Sequence, residues 1–112
     1  MSGFYQWETV DLQIVIEDEE GNPKAGVLDD VRDVVVSIEQ SCSRLDLHID
    51  ELDIDAASSA INLHLSQEDA GSFSSKGSAQ VQVNILYEGG ERDVTVKGTV
   101  EVLGNLYGEA MS

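Results

Sequence analysis

From Ala79 to Val102 polar and apolar side chains alternate almost without a break. Ala79-Gln80-Val81-Gln82-Val83-Asn84-Ile85-Leu86-Tyr87 makes the first run, and Arg92 to Val102 the second. A period of two sends alternate side chains to opposite faces of a sheet. Glu88-Gly89-Gly90-Glu91 lies between the runs. A Gly-Gly pair in that position predicts a tight type I′ hairpin, whose two central residues both take positive φ. The predicted inner face is Val81, Val83, Ile85, Val94, Val96, Val100 and Val102. Gln80, Gln82 and Asn84 lie on the outer one.

The same period recurs upstream. A strand over Thr9–Glu17 puts Val10, Leu12, Ile14 and Ile16 on one face. Asp18–Gly26 holds the only proline and reads as a turn. A second strand over Asp33–Gln40 carries Val34, Val36 and Ile38, with Val35 on the other side. A third over Arg44–Leu52 turns Leu45, Leu47 and Ile49 inward; helical spacing would scatter them around a cylinder. Asp53–Ser59 reads as a loop. A fourth over Ala60–Leu65 turns Ile61, Leu63 and Leu65 inward. Ser66 then caps a short helical turn, with Glu68 and Asp69 at its positive end. Phe73 anchors a Ser/Gly loop. The pattern predicts an all-β, immunoglobulin-like two-sheet antiparallel sandwich of six to seven strands with one short helical crossover. We expect an N-terminal arm over 1–7, one domain over 8–106 and a tail over 107–112, with Leu106 and Tyr107 packing in the closing segment Asn105–Ser112.

Charge narrows the partners. The 112 residues include 22 Asp and Glu against six Lys and Arg, a formal net charge of −16. Nucleic-acid binding needs a basic face to displace counterions, and an anionic membrane surface repels such a chain. We therefore expect neither partner. The segment Met1-Ser2-Gly3-Phe4 lacks the basic start and apolar run of a secretory leader, and no stretch approaches a membrane span. Synthesis in the cytoplasm is the expectation.

No residue set demands chemistry. Cys42 is the lone cysteine, so no internal disulfide is expected. No Gly-x-Ser-x-Gly turn and no phosphate-cradling glycine loop occur. His48 and His64, with a carboxylate, could in principle share a metal. Asp50, Glu51, Asp53 and Asp55 mimic the alternation of a calcium loop, without its central glycine or closing Glu. Asp29, Asp30 and Asp33 form a third acidic group. Solvated acids and surface histidines account for all of these, so no catalytic residue, no metal site and no cofactor is expected. Contact is the remaining role: Gln80, Gln82 and Asn84 form a neutral strip, and Phe4, Tyr5 and Trp7 an aromatic arm.

Three strings occur in order: Ile38-Glu39-Gln40-Ser41, Leu63-His64-Leu65-Ser66-Gln67-Glu68-Asp69, and Ala79–Asn84 followed by Gly90-Glu91-Arg92 and Val100-Glu101-Val102-Leu103. Together they resemble small phage- and prophage-encoded virion proteins of Gram-positive bacteria. They are similar to the immunoglobulin-like N-terminal domains of upper-baseplate and tail-tip proteins. The resemblance spans about residues 8–106. It implies a non-enzymatic structural or assembly component of a tail or baseplate, with other virion proteins or further copies of itself as partners and the virion as location. The alternative is an acidic, calcium-assisted ligand- or carbohydrate-binding module used in host attachment.

Overall fold

The computed structural model describes residues 3–40, 43–73, 77–104, 109 and 111. Its strands are β1 (Phe4–Tyr5), β2 (Val10–Val15), β3 (Val31–Gln40), β4 (Ser43–His48), β5 (Leu52–Asp55), β6 (Ala60–Leu65), β7 (Gly77–Tyr87) and β8 (Arg92–Leu103). One helix, α1 (Gln67–Gly71), joins β6 to β7. The strands form two sheets, ordered β1-β8-β7-β3-β4 and β2-β6-β5. All pairs are antiparallel except β1 with β8. The smaller sheet has the B-E-D order of an immunoglobulin domain, and β8-β7-β3-β4 has the order G-F-C-C′. The expected immunoglobulin-like sandwich is the observed fold, with the short strands β1 and β5 in addition.

The two sheets share one apolar layer. Val34, Val36, Ile38, Val81, Val83, Ile85, Val100 and Val102 from the larger sheet are buried with Leu12, Ile14, Ile61, Leu63 and Leu65 from the smaller. Short branched side chains suit this position, because they pack well on a pleated surface. Phe4 and Phe73 close one end of the layer, with ring centroids 5.8 Å apart. The crossover between sheets forms as the sequence predicts. Ser66 Oγ accepts from the Asp69 amide (3.1 Å), and an Asp69 carboxylate oxygen accepts from the Ser66 amide (3.1 Å). This reciprocal capping satisfies two amides that would otherwise lack partners at the helix start.

Several expectations change. The third strand is broken: β4 stops at His48, a 3₁₀ turn spans Ile49–Glu51, and the chain resumes as β5 in the other sheet. Part of the expected loop 53–59 is therefore strand. A 3₁₀ turn at Ala56–Ser58 follows it. Glu51 closes the first of these turns, its carboxylate accepting from the His48 amide at 3.2 Å. The expected arm is partly sheet, since Phe4 and Tyr5 pair in parallel with Val102 and Leu103. Val27 and Leu28 are buried although they sit in a turn-rich segment. The Tyr87 hydroxyl ties that segment down, donating to the Val27 carbonyl at 2.7 Å. Cys42, Leu106 and Tyr107 fall outside the described residues.

The hairpin itself differs in two ways. Only Gly90 of the glycine pair has positive φ (89°). Gly90 N–H donates to the Tyr87 carbonyl, and Tyr87 N–H to the Glu91 carbonyl. This is a three-residue turn with a glycine bulge, not a type I′ turn. Further along, the β7–β8 register slips: Val81 pairs with Gly98 but Gln82 with Val96. The extra residue exchanges the two faces of β8. Val100 and Val102 stay inside as expected, whereas Val94 moves to the outer face and is 54% exposed. The side chain of Val96 lies outside the described set. Gly98 takes φ 115° at the slip, a conformation that L side chains rarely adopt.

Two predictions follow from these geometries. Gly90→Ala should cost about 1–2 kcal/mol in urea unfolding, while Gly89→Ala should be near neutral, because only Gly90 is left-handed. A true type I′ turn would penalise both. Tyr87 has its pKa raised above the ordinary 10.0 by burial first, then by Asp93 and Glu91. The folded state then holds the proton more tightly than the unfolded one, so its contribution is full below pH 10 and is lost as pH rises through the raised value. Tyr87→Phe should flatten the alkaline limb of the stability profile above pH 10.

Candidate functional site

The outer face of the larger sheet is built by register. Four rungs can be followed across strands β4, β3, β7 and β8, two of them over all four strands. The first runs Asp33–Leu86–Arg92 and the second His48–Val35–Asn84–Val94. The third runs Asp46–Ser37–Gln82 and the fourth Arg44–Glu39–Gln80–Thr99. Three carboxylates thus meet two guanidiniums, on a chain whose formal charge is −16. This makes the face nearly neutral. An open concavity of about 490 Å³ lies over these rungs, flanked by Arg44 and Arg92.

Hydrogen bonds hold its polar groups in place. Ser37 Oγ donates to Asp46 Oδ1 at 2.6 Å, and Arg44 Nη2 pairs with Asp46 Oδ2 at 3.1 Å. Arg92 is bound differently. Its Nε and Nη2 both donate to Asn84 Oδ1, at 3.2 and 2.8 Å. Among the described residues no carboxylate pairs with Arg92. Its guanidinium therefore keeps unused donors and its full charge beside the concavity.

The predicted contact residues divide. Gln80, Gln82 and Asn84 do share one face, though Asn84 is half-buried and committed to Arg92. Phe4 is 1% exposed and belongs to the core, so it presents no contact surface in the isolated chain. Its partner in the parallel pairing, Val102, faces the same apolar layer. Trp7 is half-buried, and its ring lies so close over Gly71 that no side chain would fit there. Tyr5 is 51% exposed at the far corner of the larger sheet, beside Leu103. Sequence reasoning missed Arg44, Arg92, Val94 and Ser37. The scarcity of basic residues was the available signal: two of six occupy this one face.

Two of the singled-out acids serve the backbone. Glu51 and Asp55 each close a 3₁₀ turn, the latter accepting from the Ser58 amide at 3.4 Å. Asp53 and His64 lie on the outer face of the smaller sheet, where His64 Nδ1 meets Asp11 Oδ1 at 2.9 Å. His48 is on the other sheet, 4.0 Å from Asp33, so the two histidines cannot share an ion. Among the described residues no three His, Cys, Asp or Glu side chains converge on a point. No helix of the described residues is long and apolar enough to cross a membrane.

What the face offers is recognition chemistry: amide donors and acceptors, two guanidiniums, and the exposed Val94 among them. No protein-family model matches the sequence, and no curated protein matches it either. The Arg44–Asp46 pair is exposed and lies within one strand. Arg44→Ala should therefore cost less than about 1 kcal/mol in thermal or urea unfolding, which leaves this face open to substitution without loss of the fold.

Proposed function

We propose that this protein is a non-enzymatic assembly component of a phage or prophage tail or baseplate, docking other virion proteins through the outer face of β4-β3-β7-β8. The supporting observation is the charge distribution. Association removes water from both surfaces, and unpaired carboxylates resist that removal. Interface centres are accordingly depleted of charged residues, apart from Arg. On a chain of net charge −16, the rungs through Gln80, Gln82 and Asn84 keep that cost low. The virion assignment rests on the resemblance of the three strings. Each has a structural task here. Gln40 is buried and its amide donates to the Gly77 carbonyl, Ser66–Asp69 form the capped crossover, and Gln80, Gln82 and Asn84 lie on the face.

A pull-down of proteins encoded beside this gene tests the reading, with the double variant Arg44→Glu, Gln82→Glu as control. The expected outcome is capture of a tail or baseplate protein, weakened at least about tenfold by the variant, a loss of about 1.4 kcal/mol. Capture unaffected by the variant would remove the face from the interface. Neighbouring genes that encode no tail, capsid or portal protein would overturn the virion assignment.

A further inference from the structure

Among the described residues, strand β8 has an edge that is largely uncovered. It runs for 12 residues, yet β1 pairs only with Val102 and Leu103. Gly3 extends that cover as far as Glu101, whose carbonyl oxygen lies 2.7 Å from where a Gly3 Cβ would sit. Among the described residues nothing pairs with the outer edge of β8 from Arg92 to Val100. Which groups point there follows from the hairpin. Tyr87 and Glu91 form a hydrogen-bonded pair. Hydrogen-bonded and open pairs alternate along an antiparallel ladder. Ile85 with Asp93 and Val83 with Thr95 are therefore bonded, and Leu86 with Arg92 and Asn84 with Val94 are open. The N–H and C=O of Arg92 and Val94 consequently point away from β7, toward solvent. An edge of this kind is a template for another strand.

We infer that a second copy of this chain adds to this edge, β8 against β8, antiparallel about a two-fold axis through Val94. The sequence of the edge is self-complementary in that register. Val94 meets Val94 and Asp93 meets Thr95, while Arg92 and Glu91 fall opposite backbone positions 96 and 97 of the second copy. No like charges oppose one another, and Glu91, Arg92, Asp93 and Lys97 sum to zero charge on a chain otherwise strongly acidic. The exposed Val94 gains a hydrophobic neighbour, as cross-strand apolar pairs do. Length fits too. The turn at residues 88–90 of the second copy falls opposite residues 98–100, short of the Gly3–Tyr5 segment that covers the remainder of the edge. The bulge at Gly98 bends the strand where the pairing stops. Joining two five-stranded sheets gives one continuous sheet with both outer faces on the same side. The pairing uses the backbone edge, whereas the docking proposed above uses the side-chain face; Val94 belongs to both, so the pairing is tested on the protein alone.

Salt gives the pairing a signature. Two copies of charge −16 repel over long range, while strand hydrogen bonds and the valine contact are short-range. Raising the salt from about 0.01 M to about 1 M shortens the screening length from about 30 Å to about 3 Å. Sedimentation equilibrium at high protein concentration should therefore show a weak dimer whose dissociation constant falls at least about tenfold over that range. Val94→Lys places like charges on the two-fold axis and should abolish the dimer at every salt concentration. Val94→Pro should do the same while keeping the fold, because the Val94 N–H makes no bond to β7. A bonded antiparallel pair has its Cα atoms about 5.5 Å apart, within disulfide reach. Val94→Cys in a Cys42→Ser background should thus give a covalent dimer on oxidation, whereas His48→Cys on the opposite edge should not. A monomer at all salt concentrations would overturn the inference. So would a dimer that survives Val94→Lys and Val94→Pro, or equal cross-linking at His48→Cys.

Discussion

Each long strand of this sandwich sends alternate side chains into one layer of Val, Ile and Leu held between the two sheets. That parity is the constraint on which the remainder depends. It decides which residues are dry and which carboxylates stay in water. It also decides which side chains can meet a partner. Because the period is two, one inserted residue reverses the assignment for everything beyond it. The slip at Gly98 does this to the first half of β8. Val94 moves outward, and Arg92 comes to stand beside Asn84 on the outer face.

Charge supplies the second constraint. With 22 acids, self-repulsion disfavours compaction, so the acids must either stay solvated or satisfy the backbone. Several do the latter: Glu51, Asp55 and Asp69 each accept from a main-chain amide at the start of a turn or helix. The basic residues are few enough that their positions matter. Arg44 is neutralised by Asp46, while Arg92 is held by a neutral amide and keeps its charge. The larger sheet thereby acquires a face, and beside it an edge, on which acids and bases nearly cancel.

Much of the fold was legible from the sequence. The inner residues of β2, β3 and β6 follow from alternation alone, and the capped crossover from Ser66, Glu68 and Asp69. The break between β4 and β5 was not legible. Leu45, Leu47, Ile49 and Leu52 continue an apolar pattern across it, and a pattern of burial does not say which sheet buries each residue. Val27 and Leu28 escaped notice because their partners, among them Tyr87, are distant in sequence. Phe4 was read as available for contact because an aromatic near a terminus has no local signal of docking; Phe73, 69 positions on, covers it.

The sequence by itself determined the class of fold, the composition of the core and the acidity that restricts partners, since periodicity and charge are local and additive properties. The tertiary structure alone decided which residues share a face. The neutral strip Gln80, Gln82 and Asn84 was visible in one strand, but its neighbours Ser37, Arg44 and Arg92 come from three others and depend on pairing register. The outward position of Val94, and the edge of β8 that the described residues leave uncovered, depend on a one-residue slip and on the length of β1. Neither leaves a periodic trace, because a bulge at a glycine preserves the appearance of alternation while exchanging its faces.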